Sequence, residues 1–282
     1  MSGIGLILEG GGMRGAFTAG VLDFFMEKNI WLSDVYGVSA GAAQACNYLS
    51  NQKGRGLRLW TEYVHDKRYC SIHSLITTGD FFGAEMSYEL IPNHYDIYDY
   101  DEFLRRKGRF ICVVMDVESG KPAYLHLKDM RTQLQMVRAS CALPLVSNIV
   151  ELDGHKYLDG GLVDSIPIRR SIDEGHEKNV VILTQDAGYR KSPNKALGVI
   201  RMKYRKYPEI AKATKVRHDM YNETIEFLNA EESAGRAFVI RPDIRPDIGR
   251  VEKNVKKIRE LHAQGYAIAK REYENLMRFI EE

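Results

Sequence analysis

The sequence predicts an α/β fold with a central, mostly parallel β-sheet flanked by helices in a three-layer sandwich, followed by a helical C-terminal part. Short, continuously apolar segments such as "IGLILE" (4–9) are typical of parallel strands that are buried on both faces. Segments with apolar residues at helical spacing follow these runs, and this alternation favours a parallel sheet. The composition, 44% hydrophobic and 28% charged, is that of an ordinary globular protein.

The first half of the chain supplies two strand–helix units. "IGLILE" predicts a strand and residues 14–28 a helix, and the same order repeats with "LSDVYGVSA" (32–40) and the small-residue stretch 40–51. Residues 53–104 are rich in aromatic side chains and predict helices and loops over the sheet edge. Their aromatic rings either line an apolar pocket or pack in the core, and the sequence leaves both possibilities open.

Further strands are predicted at 109–118, 122–127, 179–186 and 236–242. A helix is predicted over 130–143, stopped by Pro144, and the helical pattern of 195–230 is broken by Pro208. A final helix is predicted at about 250–280. We therefore expect a single domain over 1–282, with a core of about 4–188 plus the late strand 236–242, a helical insertion at about 195–230 and a C-terminal helix.

Composition excludes several classes of protein. A net charge of +2 gives no indication of nucleic-acid binding. The four cysteines are scattered without a C-x-x-C pair, so neither a zinc–thiolate site nor a disulfide framework is expected. The N-terminus lacks the basic region of a signal peptide, and no window approaches the roughly 18 apolar residues of a membrane span. We expect a cytoplasmic protein.

The first strand leads into "GGGMRG" (10–15), which contains G-x-G-x-x-G. This fingerprint usually places a nucleotide phosphate on backbone N–H groups at a helix start. In a dinucleotide fold an acidic residue should end the second strand. Here Asp34 precedes that strand and Gly37 lies near its end, so the loop is expected to bind another kind of negative charge.

The second strand leads into Gly37-Val38-Ser39-Ala40-Gly41, a G-x-S-x-G sequence. This pattern, between a strand and a helix, is typical of a nucleophile elbow, in which a serine occupies a strained turn and its glycine neighbours avoid steric clashes. The alternative is a serine N-cap beside packing glycines.

A serine nucleophile needs a base. None of the eight histidines lies in a recognisable catalytic motif. Asp159-Gly160-Gly161 offers an aspartate on a turn that can approach another loop closely. Taken alone, the same stretch favours a simple turn that joins two strands.

Taken in order, "GGGMRG", "GVSAG" (37–41), "ASCALP" (139–144) and "DGG" (159–161) resemble the patatin-like phospholipases, serine acyl hydrolases with a Ser–Asp dyad and no catalytic histidine. The resemblance covers residues 9–167. It implies that Ser39 is the nucleophile and Asp159 its base, without metal or cofactor. One departure from the family is that Leu145 and Val146 follow the proline, where an aromatic residue is frequent.

The resemblance also assigns roles to the glycine-rich segments. It implies an oxyanion hole formed by the backbone N–H groups of Gly11, Gly12 and Met13, with Arg14 either steadying the loop or contacting an anion. The remaining motif glycines are Gly10, Gly15, Gly37, Gly41, Gly160 and Gly161. We expect Ser39 and Asp159 to lie within about 2.6–3.2 Å of each other, with the pKa of the aspartate raised by desolvation.

The expected partner is a lipid substrate, with cleavage of carboxylic esters through an acyl-enzyme. Two alternatives stay open: a Ser-His-Asp esterase with a remote base such as His126, His176 or His218, and a non-catalytic lipid-binding member of the fold. Residues 190–217 carry ten Lys and Arg and one acid. This stretch either makes a peripheral contact with anionic membrane or forms a solvated face paired with the acidic stretch 219–232.

Overall fold

The computed structural model describes residues 3–282 and contains one eight-stranded sheet in the order β5-β6-β3-β2-β1-β7-β8, with β4 also paired to β3. The strands are β1 (Ile4–Leu8), β2 (Asp34–Val38), β3 (Arg109–Asp116), β4 (Pro122–Leu127), β5 (Val150–Leu152), β6 (His155–Asp159), β7 (Lys178–Ile182) and β8 (Ala237–Ile240). β1, β2, β3, β7 and β8 run parallel, while β4 and β6 are antiparallel to β3. The predicted fold class is confirmed.

Strand register brings two distant turns together on β3. β2 pairs in parallel with the first part of β3 and ends with Val38 opposite Val113. β6 runs the other way and ends with Asp159 opposite Val114. The ends of β2 and β6 therefore meet at neighbouring positions of one strand, and the residues that follow them lie side by side.

Helices cover both faces of the sheet. The α-helices are α1 (Gly15–Glu27), α2 (Ala40–Leu49), α3 (Arg55–Glu62), α4 (Ile72–Thr78), α5 (Tyr100–Arg105), α6 (Met130–Cys141), α7 (Ile168–Asp173), α8 (Leu197–Lys203), α9 (Pro208–Ser233), α10 (Val255–Arg271) and α11 (Tyr273–Glu281). Short 3-10 turns span Gly12–Arg14 and Gly160–Leu162, and a π-helix spans Met86–Tyr95. Leu6 and Leu8 of β1 pack towards α1, α2 and α10, whereas Ile7 faces α7 and α9. This alternation produces the three layers.

The C-terminal helices pack directly on the first helix. α10 crosses α1 at Gly20 and Gly265, where an added Cβ would lie 2.0 Å from the His262 carbonyl oxygen and 2.1 Å from the Phe17 carbonyl oxygen, respectively. Only glycine permits so close an approach of two backbones. The sequence predicted one helix at about 250–280, but the structure has two, because the helix is interrupted at Glu272 between α10 and α11.

The aromatic segment 53–104 contributes both to the core and to a cavity. Tyr69 and Tyr98 are buried in the main core. Tyr88 and Tyr100 line a depression of about 380 Å³ between the π-helix and α6. This depression does not reach Ser39 or Asp159, so its aromatic lining lies apart from the predicted site.

The predicted strands at 179–186 and 236–242 are observed in shortened form, and β8 pairs in parallel with β7. The short strands β5 and β6 were not predicted. Pro208 begins α9 at its first turn, as expected of a residue that cannot continue the preceding helix. Within residues 3–282, no helix combines the length and apolarity needed to cross a membrane.

Candidate active site

Ser39 occupies a strained turn between β2 and α2. Its backbone has φ 53° and ψ −122°, in a region that side-chain-bearing residues rarely adopt. Glycine is required on both sides. An added Cβ would lie 2.6 Å from the Ala42 Cα at Gly37 and 2.2 Å from the Leu8 carbonyl oxygen at Gly41. The close packing of the strand end and helix start thus explains the G-x-S-x-G spacing.

A second serine holds this turn in place. The Ser39 N–H donates a hydrogen bond to Ser140 Oγ at 2.9 Å, and the Ser140 hydroxyl donates to the Val113 carbonyl oxygen at 2.7 Å. Ser140 is fully buried. It belongs to the "ASCALP" segment that carried the resemblance, but the sequence gave no indication of this bridging contact.

Asp159 ends β6 and is almost completely buried, with 1% of its surface exposed. Its N–H donates to the Ala142 carbonyl oxygen at 2.8 Å, and its Oδ1 accepts from the Gly161 N–H at 2.7 Å. Its Oδ2 is shielded from solvent and has no hydrogen-bond partner within residues 3–282. One carboxylate oxygen is therefore anchored and the other is free to accept a proton.

The Ser39 hydroxyl lies close enough to act as a hydrogen-bond donor that lowers the pKa of Asp159, yet it does not reach full hydrogen-bond geometry with Oδ2. No hydrogen bond joins the two side chains among residues 3–282, and their separation of about 2.6–3.2 Å stays a prediction. Such contacts are often loose in unliganded enzymes and tighten when substrate binds.

Burial sets the protonation behaviour of Asp159. Desolvation raises the pKa of its carboxyl group above the ordinary value, and the neighbouring Arg217 charge, the Ser39 hydroxyl and the Gly161 N–H partly oppose this rise. A higher pKa makes an aspartate a better proton acceptor from a hydroxyl.

The glycine-rich loop passes directly beside Ser39. An added Cβ at Gly10 would lie 3.0 Å from the Ser39 Cβ, and one at Gly11 would lie 2.6 Å from Thr184 Oγ1. Within residues 3–282, the N–H groups of Gly11 and Gly12 donate to no protein acceptor, as expected of oxyanion-hole donors. Gly12 adopts φ +59°, a left-handed conformation that favours glycine.

Met13 does not fit its predicted role. Its N–H already donates to the Arg250 carbonyl oxygen at 3.1 Å, and the Glu252 N–H in turn contacts Met13 Sδ at 2.9 Å. The segment before α10 therefore contacts the glycine-rich loop and holds it in place. Gly11 and Gly12 remain as the two candidate oxyanion donors, and Met13 is instead a buried anchor.

Neither His126 nor His176 lies near Ser39. His176 Nε2 bonds to Asp34 Oδ2 at 2.9 Å, at the amino end of the parallel strands. His126 lines a cavity of about 210 Å³ beside Arg109, at the same end. Ser39 and Asp159 lie at the opposite end of the sheet, and no histidine among residues 3–282 makes a hydrogen bond with either of them.

His218 is placed differently. It follows Arg217 on α9, and its Nδ1 is shielded from solvent without a partner in the described chain. Among the described residues, no group of three His, Cys, Asp or Glu side chains is arranged to hold a metal ion.

A family model described as patatin-like phospholipase matches residues 6–171, more than half of the chain. The chain belongs to the patatin-like phospholipase family. The match confirms the family resemblance seen in the sequence, and Ser39 and Asp159 both lie inside the matched residues.

A second model, a domain of unknown function, matches residues 207–281 of this patatin-like chain. It covers α9, β8, α10 and α11 and includes both Arg217 and the Arg250 segment that holds the glycine-rich loop. The part of the chain outside the patatin match therefore reaches the candidate site.

The chain is similar to a curated protein and to a solved structure. An uncharacterized protein, YjjU of Escherichia coli, is 31% identical over 186 residues, which are 64% of this chain and 52% of the relative. The patatin-like chain thus spans about half the length of the curated relative that it matches. The crystal structure of VipD from Legionella pneumophila aligns with a TM-score of 0.46 and 12% identity, covering 96% of this chain and 66% of VipD.

Proposed function

We propose that this protein is a serine lipid acyl hydrolase that cleaves carboxylic ester bonds of phospholipids or related lipids through a Ser39–Asp159 dyad. The observation that supports this most is the meeting of β2 and β6 on β3. That meeting puts a strained serine beside a buried carboxylate with one unpartnered oxygen. Family membership agrees with this chemistry.

In the proposed reaction, Ser39 Oγ attacks the ester carbonyl carbon while Asp159 Oδ2 accepts the hydroxyl proton. The carbonyl oxygen becomes an oxyanion, which accepts hydrogen bonds from the Gly11 and Gly12 N–H groups. Asp159 then returns the proton to the leaving alcohol as the carbon–oxygen bond breaks, which leaves an acyl group on Ser39. Water attacks the carbonyl carbon of this ester while Asp159 takes its proton. The bond between the carbonyl carbon and Ser39 Oγ then breaks, and Asp159 returns the proton to Ser39 Oγ, so that fatty acid and free enzyme result.

Two other functions compete with this one. His218, with its unpartnered ring nitrogen, is the histidine placed best for a Ser-His-Asp hydrolase. A lipid-binding protein without turnover would keep the same fold. We favour the dyad because the unpartnered oxygen of Asp159 lies beside the serine, whereas no hydrogen bond links His218 to either residue in the described chain.

Short-chain ester hydrolysis by the wild type and the Ser39→Ala, Asp159→Asn and His218→Ala variants tests the proposal. We expect Asp159→Asn to lower kcat by about 10²–10⁴-fold, the range of general-base catalysis, and Ser39→Ala, which removes the nucleophile, to lower it at least as much. Melting temperatures should show that both proteins fold. His218→Ala should retain wild-type kcat, and a fluorophosphonate probe should label the wild type but not Ser39→Ala.

The alternatives give different outcomes. An inactive His218→Ala together with an active Asp159→Asn would replace the dyad by a Ser-His-Asp mechanism. Lipid binding by the wild type without ester turnover or probe labelling would establish the non-catalytic alternative.

We also propose that the enzyme reaches lipid through α8. Val199 and Met202 are 51% and 73% exposed and lie beside the basic Arg201 and Lys203. Apolar side chains flanked by positive charges suit an anionic membrane surface. Cosedimentation with vesicles containing phosphatidylserine should weaken in a Met202→Ser variant, and binding that is unaffected by this change would refute the role of α8.

A further inference from the structure

The glycine-rich loop that carries the candidate oxyanion donors is tied down at its start. Glu9 directly precedes Gly10 and is 2% exposed. Its Oε2 accepts hydrogen bonds from the N–H and the hydroxyl of Thr184, and its Oε1 accepts one from the Tyr221 hydroxyl at 2.8 Å. A single buried carboxylate therefore connects the start of the loop to the segment after β7 and to α9.

The end of the loop contacts the residues that join β8 to α10. We call these residues, 241–254, the strap. The Met13 N–H donates to the Arg250 carbonyl oxygen at 3.1 Å, and an added Cβ at Gly12 would lie 2.6 Å from the same oxygen. The strap thus fixes the orientation of the peptide unit that joins Gly12 to Met13.

The strap has a firm anchor of its own. Ile248 is 8% exposed and belongs to the main hydrophobic core, whereas Ile244 is 69% exposed. Three ion pairs also join the strap to its surroundings: Asp243–Arg271, Arg245–Asp186 and Asp247–Lys257. Each of these pairs is at least half exposed on one side and contributes little. Ile248 is therefore the residue that holds the strap against the protein.

Tyr221 is held by packing as well as by its hydrogen bond. It is 1% exposed and belongs to the same apolar cluster as Ile7 of β1. The Tyr189 ring meets it edge to face, with centroids 5.7 Å apart, and Lys191 Nζ lies 4.2 Å from its centre. A ring confined in this way directs its hydroxyl to one fixed position, so it can orient the Glu9 carboxylate.

Tyr221 and the strap both lie in residues 207–281, outside the patatin match. They contact the loop at its two ends, and the candidate donors Gly11 and Gly12 lie between these contacts. The two N–H groups make no hydrogen bond to a protein acceptor in the described chain, so their direction depends on how the ends are held. Oxyanion donors act well only when they are already aimed at the place where the charge develops.

We propose that Tyr221 and the strap complete the oxyanion hole by holding the Gly11 and Gly12 N–H groups in their productive direction. The inference rests on the proposed function and adds to it the part that residues 207–281 play. The patatin part of the chain supplies the nucleophile, the base and the donors, and residues 207–281 supply the contacts that aim the donors. Tyr221 and Ile248 are positioning residues, because they act through the loop.

Tyr221→Phe removes one hydroxyl and keeps the ring. For p-nitrophenyl butyrate we expect kcat to fall about 10–100-fold, which is less than the loss of a donor outright, because the donors are displaced and not removed. KM should change little, since oxyanion donors act in the transition state. The rate at which a fluorophosphonate probe labels Ser39 should fall with kcat.

Tyr48→Phe is the matched control. The Tyr48 hydroxyl is also buried and hydrogen-bonded, donating to the Ile30 carbonyl oxygen at 2.9 Å and accepting from the Leu32 N–H at 2.8 Å. These contacts lie before β2, at the end of the sheet remote from Ser39. Tyr48→Phe should lower the melting temperature, as loss of a buried hydrogen bond does, and leave kcat at the wild-type value.

The strap is tested in the same assay. Ile248→Ala should lower kcat about tenfold, and Ile248→Val, which keeps most of the buried side chain, should restore most of it. Ile244→Ala, in the same strap but exposed, should behave like the wild type. Rates are compared at a temperature at which circular dichroism shows every variant to be folded.

Hydrogen–deuterium exchange measures the loop without turnover. In the wild type the Met13 amide should exchange slowly, because it is bonded to the Arg250 carbonyl oxygen. Peptides that contain residues 9–14 should exchange faster in Ile248→Ala and in Tyr221→Phe, and peptides from residues 19–27 should not. Tyr48→Phe and Ile244→Ala should match the wild type in both regions.

Wild-type kcat in Tyr221→Phe and Ile248→Ala would overturn the inference. Losses of kcat that simply follow the melting temperature, in Tyr48→Phe as much as in Tyr221→Phe, would also overturn it. A wild type that hydrolyses no ester would refute the proposed function instead. The exchange of residues 9–14 would then decide by itself whether residues 207–281 hold the loop, and unchanged exchange in both variants would show that they do not.

Discussion

The two ends of the parallel strands carry similar charged groups in opposite arrangements. At the amino end, Asp34 pairs with Arg109 at 2.7 Å and with His176 at 2.9 Å, and Arg109 also reaches Glu174. At the carboxyl end, Asp159 and Arg217 lie side by side without a salt bridge, and each has an unpartnered polar atom.

The pKa shifts follow this difference. Burial alone would raise the pKa of Asp34, but the hydrogen bonds and charge of Arg109 outweigh it and the net shift is downward. For Asp159, burial outweighs the attraction of Arg217 and the shift is upward. The charged groups at the amino end thus stabilise the fold, while the carboxyl end holds groups in states that cost stability, a pattern that is common at functional sites.

Among the substitutions that compare the two ends, the largest effect is expected at the carboxyl end, from a side chain added at Gly12. A Cβ there would lie 2.6 Å from the Arg250 carbonyl oxygen, and the φ of +59° disfavours alanine. Gly12→Ala should displace the loop N–H groups and lower kcat by about 10²–10³-fold, the typical cost of losing an oxyanion donor. Ester hydrolysis measured alongside the melting temperature checks this.

Gly235→Ala is the matched control, since Gly235 has φ +72° and open space around its Cα. It should destabilise the protein slightly and leave kcat unchanged. A Gly12→Ala enzyme with wild-type kcat would show that this loop does not stabilise the oxyanion.

The next largest effect is expected at the amino end, as a loss of folding stability. Asp34→Asn removes the charge shared by Arg109 and His176 and should lower the free energy of unfolding by about 1–3 kcal/mol at pH 7. Because the folded pKa of Asp34 is depressed, its contribution is present above the unfolded pKa of about 3.9 and is lost as the pH falls through the folded pKa. Denaturant unfolding at pH 7 and below pH 4 measures both values.

The kcat of the folded Asp34→Asn protein should stay at the wild-type value, because the substitution lies at the far end of the sheet. Asp101→Asn, which removes an exposed partner of Arg131, serves as the control and should leave stability unchanged. A strong loss of activity in Asp34→Asn would break the proposed separation between the two ends.

Much of the fold could be predicted because its signals are local. The apolar runs of β1 and β3 and the Pro208 helix start depend on neighbouring residues alone. β5 and β6 escaped prediction because they mix charged and exposed residues with apolar ones and lack the continuous apolar run of β1 and β3. The interruption of the C-terminal helix at Glu272 could not be predicted either, because the apolar residues keep their helical spacing across it.

The residues of the candidate site likewise fall into two groups, those that a local sequence motif marks and those that only tertiary contact brings to the site. Ser39, Asp159 and the glycines are marked by motifs whose spacing reflects local backbone geometry. Arg217 and the Ser140 bridge have no such mark, because only tertiary contact brings them to the site. Met13 was assigned wrongly for a related reason: the Arg250 carbonyl group that occupies its N–H lies more than two hundred residues away in the chain.

The smallest expected effect is a gain in stability from Asp159→Asn, whereas Asp34→Asn is expected to lower stability. Asp159→Asn makes the same chemical change as Asp34→Asn, but it removes a carboxylate that burial disfavours. We therefore expect the variant to have a higher melting temperature than the wild type at pH 7, with each kcal/mol gained raising it by about 2–4 °C.

The pH dependence separates this explanation from a change in packing. A carboxyl group whose folded pKa is raised costs stability when ionised, and the cost disappears as the pH falls towards the unfolded pKa of about 3.9. The advantage of Asp159→Asn should accordingly shrink on acidification, measured by calorimetry from pH 7 to pH 4, while the Gly161 N–H keeps an oxygen acceptor in the amide. If Asp159→Asn is instead less stable than the wild type at pH 7, the carboxylate is held by favourable contacts like those of Asp34, and the contrast between the two ends fails.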